Sequence, residues 1–396
     1  MRMRAAGLAA TVLAAAALAA CAPSPAPVSA APPRAWQPSV APAAVDPDAT
    51  YVEARLADMT TLERAESVIM VRIPSTDPAT ARAAVAASGV GGVILLGSDT
   101  RYSPAVSAAL TGALTTDPGL PPLTAVDQEG GTVARLDDPG PSAPALGRMP
   151  PEATRAAVAD RARLVASGGF DVNFGIVADA TADPGSFIAP RVFGGDPASV
   201  SARVAQAVAG EHGIVFSTLK HFPGHGAVAG DSHQLIPSTS MSLEQWRATQ
   251  APPFEAGIAA GAELVMVGHL RYTAVDQAPA SLSPAWYRIL REDLGFDGVI
   301  VTDSLSMLQA GGEPALVDPA ANGAAALAAG ADLLLYAGPV DPAAVAARIA
   351  QQVADGTIPA SRLEDAARRV LELRRASASS DTPYVRCSGA CAVAAS

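Results

Sequence analysis

Eight short apolar runs, separated by helix-compatible stretches, constrain this chain more than any other feature. The runs are Val68–Ile73, Gly92–Leu96, Leu123–Val126, Val172–Val177, Val215–Leu219, Leu264–Val267, Val299–Thr302 and Leu333–Tyr336. A strand buried on both faces reads as a continuous apolar run, because neither face meets water. Between the runs lie Pro78–Ser88, Pro151–Ser167, Pro197–His212, Trp246–Ala260, Pro284–Asp293, Ala320–Ala329 and Pro342–Ala354, all compatible with helix. This alternation predicts an α/β fold, a (β/α)8 barrel of the TIM type in a single domain. A doubly wound open sheet is the alternative, but no Gly-x-Gly-x-x-Gly follows the first run. Leu363, Ala366, Ala367, Val370 and Leu371 recur at helical spacing and predict a closing amphipathic helix over Arg362–Arg375.

The termini read differently. Arg2 and Arg4 precede an apolar run from Ala5 to Ala20, too short and too weak for a good transmembrane helix. The run ends Leu18-Ala19-Ala20-Cys21, and a Pro/Ala/Ser-rich stretch follows to about Thr50. Residues 1–20 are therefore expected to be a lipoprotein signal, with Cys21 as the lipidated residue and 21–50 as a tether. The alternative is an ordinary secretory signal. The barrel is expected over 51–376, and a disordered Ser-rich tail over 377–396. Export would put the chain on the outer face of the cell membrane. Cys387 and Cys391 would then stand in an oxidising compartment, where a small disulfide loop is an option that spacing alone does not decide. The net charge is −11 with no basic cluster, which argues against nucleic acid as a partner.

Chemistry concentrates where apolar runs stop. Asp127, Lys220 with His221, His269 and Asp303 each follow such a run closely. Strand C-terminal ends face the mouth of a barrel, so these groups are expected to share one pocket. Three of the five histidines fall between Leu219 and His233, in a glycine-bearing loop with Lys220 and Asp231. A metal site there is a competing reading. His221 and His225 are four apart, but Pro223 and Gly224 between them oppose a helix, and no cysteine is near. Asp303 has a second reading as a helix cap, and Glu129 is a rival acid.

Lys220-His221-Phe222-Pro223-Gly224-His225-Gly226 followed by Asp231-Ser232-His233 resembles the signature of glycoside hydrolase family 3, in its β-N-acetylglucosaminidase branch. Further blocks are similar: Val126-Asp127-Gln128-Glu129-Gly130-Gly131 with Val133 and Arg135, Arg191 with Phe193 and Gly194, Val265–Val267 with His269, and Gly298–Leu305 with Met307. Together they extend over the whole expected barrel. Thr132, Ala227, Val228 and Ser304 depart from the family's usual residues, which bears on the fine shape of the pocket.

The resemblance implies a retaining, exo-acting enzyme that removes terminal β-linked GlcNAc, plausibly from peptidoglycan fragments. Asp303 would be the nucleophile, and His233, oriented by Asp231, the general acid/base. Asp127, Arg135, Arg191, Lys220 and His221 would bind the terminal sugar. The larger β-glucosidases of the family use a glutamate from a second domain, for which this chain has no room after its closing helix. A catalytically inactive sugar-binding lipoprotein, and a β-glucosidase or a GlcNAc phosphorylase of the same family, are the alternatives. The proposed chemistry requires no metal and no organic cofactor, and a monomer is expected.

Overall fold

The computed structural model describes residues 46–97 and 102–378. Cys21, the expected signal, residues 21–45 of the expected tether, Cys387 and Cys391 lie outside the described residues, whereas 47–50, expected as tether, are helical. The strands are β1 (Ile69–Arg72), β2 (Gly92–Leu95), β3 (Leu123–Val126), β4 (Val172–Val177), β5 (Phe216–Phe222), β6 (Leu264–Val267), β7 (Val299–Thr302) and β8 (Leu334–Tyr336). They pair in parallel in the order β8-β1-β2-β3-β4-β5-β6-β7. A parallel bridge between Val301 and Leu333 closes the ring. The expected barrel is therefore present, with helices in the connections and the core between helices and sheet.

Helices begin at a recurrent signal that explains much of the chain's proline content. Helices start at Pro47, Pro78, Pro104, Pro197, Pro284, Pro319 and Pro342, each preceded by Asp or Ser. In every case the preceding side chain accepts a backbone N–H from the first turn. Proline has no N–H to leave unpaired there, and its fixed φ suits the first helical position. Asp46 capping Pro47–Asp58 starts the folded chain a few residues before Tyr51. The Ser103-Pro104 pair opens a helix over Pro104–Ala113 that apolar periodicity does not reveal. The expected helix over Pro284–Asp293 is α-helical only to Arg288 and continues as one π-helical turn.

The largest correction concerns β5, which runs on to Phe222 past its apolar segment. The Lys220 carbonyl accepts the Ala178 N–H at 2.7 Å and the Phe222 carbonyl accepts the Gly268 N–H at 2.8 Å. Lys220 and His221 are thus strand residues. Behind this end sits a cluster of edge-to-face rings, Phe222, Trp246, Phe254, Tyr272 and Trp286, with centroids 5.0–5.8 Å apart. Trp246 donates its indole N–H to the Pro223 carbonyl at 2.7 Å, and the Tyr272 hydroxyl donates to the Gly224 carbonyl at 2.5 Å. The apolar cluster thereby fixes the backbone that leads into the histidine loop.

Candidate active site

A cavity of about 590 Å³ opens at the C-terminal ends of the strands. Asp127, Arg135, Arg191, Lys220, His221, His233 and Asp303 all line it, so seven of the residues singled out in the sequence converge. Asp231 is not in the wall. It stands behind His233, whose Nδ1 lies 2.7 Å from the Asp231 carboxylate. The same carboxylate oxygen accepts the His233 backbone N–H at 2.9 Å.

The floor is an ion network. Lys220 Nζ lies 2.9 Å from Asp127 and 2.6 Å from Glu129. Arg191 holds Glu129 through two parallel bonds of 2.9 and 2.6 Å. The Glu129-Gly130-Gly131 turn makes this possible: both glycines have positive φ, and the Glu129 and Gly130 N–H groups converge on the Val133 carbonyl. Burial pushes the Glu129 carboxyl up, but Lys220 and Arg191 outweigh it and hold its pKa at about 2. A carboxyl that stays ionised has no proton to give, so Glu129 is a structural anion and not the rival acid. Burial acts to lower the Lys220 pKa, yet Asp127 and Glu129 hold it above the usual lysine value. Arg135 approaches Asp127 more loosely, at 3.8 Å.

The histidines have separate partners. His221 faces Asp179 through Nδ1 at 2.8 Å and Arg191 through Nε2 at 3.2 Å. Arginine can only donate, so Nε2 accepts and the ring is neutral. Burial, then Arg191 and Lys220, hold its pKa well below the usual imidazole value. His225 Nε2 pairs with the Ser232 hydroxyl at 3.1 Å. His269 Nε2 donates to the Ser304 carbonyl at 2.8 Å, and its Nδ1 faces the Ser281 hydroxyl at 2.7 Å. His225 and His269 are therefore buried supports of the wall.

Asp303 follows β7 directly, and its backbone N–H donates to the Val267 carbonyl at 2.8 Å. Its carboxylate accepts the Ser304 N–H at 2.7 Å. The next helix, Met307–Ala310, has Ser306 at its N-cap, so Asp303 caps nothing. Burial acts to raise the Asp303 pKa, but the dipoles of the neutral His221 and His269 rings, the Ser304 N–H and the Lys220 cation hold it below the ordinary aspartate value. An ionised carboxylate thus faces the cavity that His233 also lines. His233 is the exposed member, with 59% of its side chain accessible.

Two contributors escaped the sequence reading. Asp179, fully buried just beyond β4, accepts the backbone N–H groups of His221 and His225 as well as facing the His221 ring. Its signal was present, a carboxylate just past an apolar run. Phe187 meets His225 with centroids 5.5 Å apart and His233 edge-on at 5.7 Å. Nothing in a lone aromatic residue within a loop announces that contact.

Residues 54–373 match the profile of the Glycosyl hydrolase family 3 N terminal domain. The chain belongs to glycoside hydrolase family 3. A β-hexosaminidase of Stenotrophomonas maltophilia (strain R551-3) is 39% identical over 234 residues, 55% of this chain and 68% of that protein. The family 3 β-N-acetylglucosaminidase of Paenibacillus sp. FPU-7 superposes with a TM-score of 0.73 at 30% identity, over 81% of this chain. This chain spans 63% of the Paenibacillus one. The β-N-acetylhexosaminidase of Beutenbergia cavernae gives a TM-score of 0.69 at 31% identity, over 80% of this chain and 99% of its own. Within the family, the chain is a glycoside hydrolase of the β-N-acetylhexosaminidase branch.

Proposed function

We propose that this family 3 enzyme is a retaining, exo-acting β-N-acetylglucosaminidase that removes terminal β-linked GlcNAc from peptidoglycan fragments. Asp303 attacks the anomeric carbon and forms a covalent glycosyl-enzyme, which water then hydrolyses. His233 protonates the departing oxygen and later takes a proton from the water, with Asp231 fixing the ring's tautomer and orientation. Asp127, Arg135, Arg191, Lys220 and His221 hold the sugar's hydroxyls and acetamido group. Lipidation at Cys21 would place a monomeric enzyme on the outer face of the membrane. No cofactor takes part in these steps.

The observation that carries this reading is the pairing of an ionised Asp303 with an accessible His233–Asp231 dyad at one cavity. The test is release of p-nitrophenol from the β-N-acetylglucosaminide and the β-glucoside by wild type, Asp303→Ala and His233→Ala. The expected result is turnover of the GlcNAc compound alone, abolished in Asp303→Ala and reduced about 10²–10⁴-fold in His233→Ala. Undiminished activity in His233→Ala would remove the histidine from the mechanism. Absence of wild-type turnover would favour a sugar-binding lipoprotein. Product analysis with added phosphate separates hydrolysis from phosphorolysis, and an initial β-anomer identifies retention.

A further inference from the structure

The loop that carries Asp231 and His233 is tied at both ends to one short segment, Arg271-Tyr272, in the connection after β6. Where the loop leaves β5, the Tyr272 hydroxyl donates to the Gly224 carbonyl at 2.5 Å. Where it returns, Ser238-Thr239 pairs in parallel with Arg271-Tyr272. There the Arg271 N–H donates to the Pro237 carbonyl and the Thr273 N–H to the Thr239 carbonyl, both at 2.9 Å. Pro237 is buried and stands close after His233 in the chain, so little slack separates the ring from this ladder.

The Arg271 side chain extends that anchor to a third element. Its Nη2 lies 3.0 Å from each carboxylate oxygen of Glu313. Glu313 belongs to the connection that begins at Asp303 and runs through the helix Met307–Ala310. In the same connection Gly311 lies against Ile236 of the histidine loop, where an added β-carbon would stand 3.2 Å from the Ile236 side chain. The loop bearing His233 and the connection bearing Asp303 therefore meet through Ile236 and are bridged a second time by the ion pair.

This pair is poorly suited to holding the fold together. Its side chains are 22% and 40% accessible, and ion pairs so exposed add little to stability. Arg271 Nε is buried with no partner among the described residues, which costs free energy rather than supplying it. What the pair secures is geometry, because it fixes loops from two different strands relative to each other.

We propose that Arg271 and Glu313 are positioning residues for the general acid, clamping the return arm of the histidine loop to the connection that follows the nucleophile. This rests on the reading of His233 as the acid/base. With the clamp, the imidazole is held at a set distance from Asp303 and from the oxygen that departs. Without it, the loop keeps its backbone ladder and loses that set distance, and proton transfer suffers before any other step.

The test compares phenyl and dinitrophenyl β-GlcNAc as substrates of the full enzyme. Phenolate departs slowly unless it is protonated, and dinitrophenolate departs without a proton. Because kcat/KM reports the step that forms the glycosyl-enzyme, the ratio of the two values isolates the acid. Arg271→Ala and Glu313→Ala are each expected to lower kcat/KM for the phenyl compound about fivefold and to leave the dinitrophenyl compound within about twofold of wild type. The double variant should lose no more than either single one, and Arg271→Lys should recover part of the loss. Equal losses on both substrates, the mark of a merely structural role, overturn the proposal, and so does no loss on either. If Arg271→Ala does not fold, Glu313→Ala decides alone, since it leaves the arginine stem in place. His233→Ala is the control, expected to show the same selective loss in larger measure. If it shows none, His233 is not the acid and the proposal falls with that reading. If His233→Ala is selective and the clamp variants are not, the clamp alone is overturned.

Discussion

His233 does its work only if its ring is aimed, and three neighbours share that task. Asp231 holds Nδ1, Ser232 ties the loop to buried His225, and Phe187 presents an edge contact while lying 6.0 Å from the Arg191 guanidinium. Phe187 is a positioning residue in this arrangement. An aromatic edge contact amounts to roughly 1 kcal/mol, so Phe187→Ala should lower kcat about fivefold to tenfold with KM little changed. Phe187→Tyr should recover most of the loss. Steady-state kinetics on p-nitrophenyl β-GlcNAc decides it: an unchanged kcat in Phe187→Ala removes the aromatic seat. At the same scale, Glu129 shows why residue type alone misleads. A glutamate beside a sugar pocket is an obvious acid until two cations are found on its carboxylate.

The histidine loop depends on close backbone approach as well as on side chains. Gly226 passes against Ala180, and a β-carbon there would collide with the Ala180 carbonyl. Backbone cannot yield as a flexible side chain does, so the loop would have to shift. Gly226→Ala is expected to lower kcat/KM at least tenfold, in keeping with the sensitivity of catalysis to displacements of about 1 Å. Its far-ultraviolet circular dichroism should stay that of the wild type. A fully active Gly226→Ala would show that the loop accommodates the methyl group. The helices give the contrasting case, because Asp-Pro and Ser-Pro starts were written locally. Each combines a capping acceptor with a residue that has no N–H to orphan, and only the starts at Asp46-Pro47 and Ser103-Pro104 needed the structure to be recognised.

At the scale of the whole barrel, a buried acid behind the site makes stability depend on pH. Glu211, on the helix Pro197–Glu211, is fully buried, with one oxygen 2.6 Å from the Asn173 amide and the other without a partner among the described residues. Burial raises its pKa, the Asn173 bond opposes and Glu263 adds, leaving it at about 8. The unfolded chain releases the same proton near the ordinary value of 4.5. The folded state therefore binds more protons between those values, and stability falls as pH rises through that window and levels off above it. The loss across the whole window is on the order of 5 kcal/mol. Glu211→Gln has no proton to lose, so its melting temperature relative to wild type should rise between pH 5 and pH 8.5. A pH-independent difference between the two would contradict the assignment.

The sequence by itself determined the barrel, most of its helix starts and most of the residues at its mouth. These are written in short-range terms: an apolar run means a strand covered on both faces, and a polar residue just past it means the open end. Tertiary structure alone decided which of those polar groups is ionised, neutral, clamped or free. β5 ran past its apolar segment because Lys220 brought its charge to Asp127 and Glu129, 93 residues away in the first case. Glu129 lost its claim as an acid to Arg191 and Lys220. Such outcomes depend on distances between elements far apart in the chain, and electrostatic interactions at a few ångströms leave no trace in local pattern.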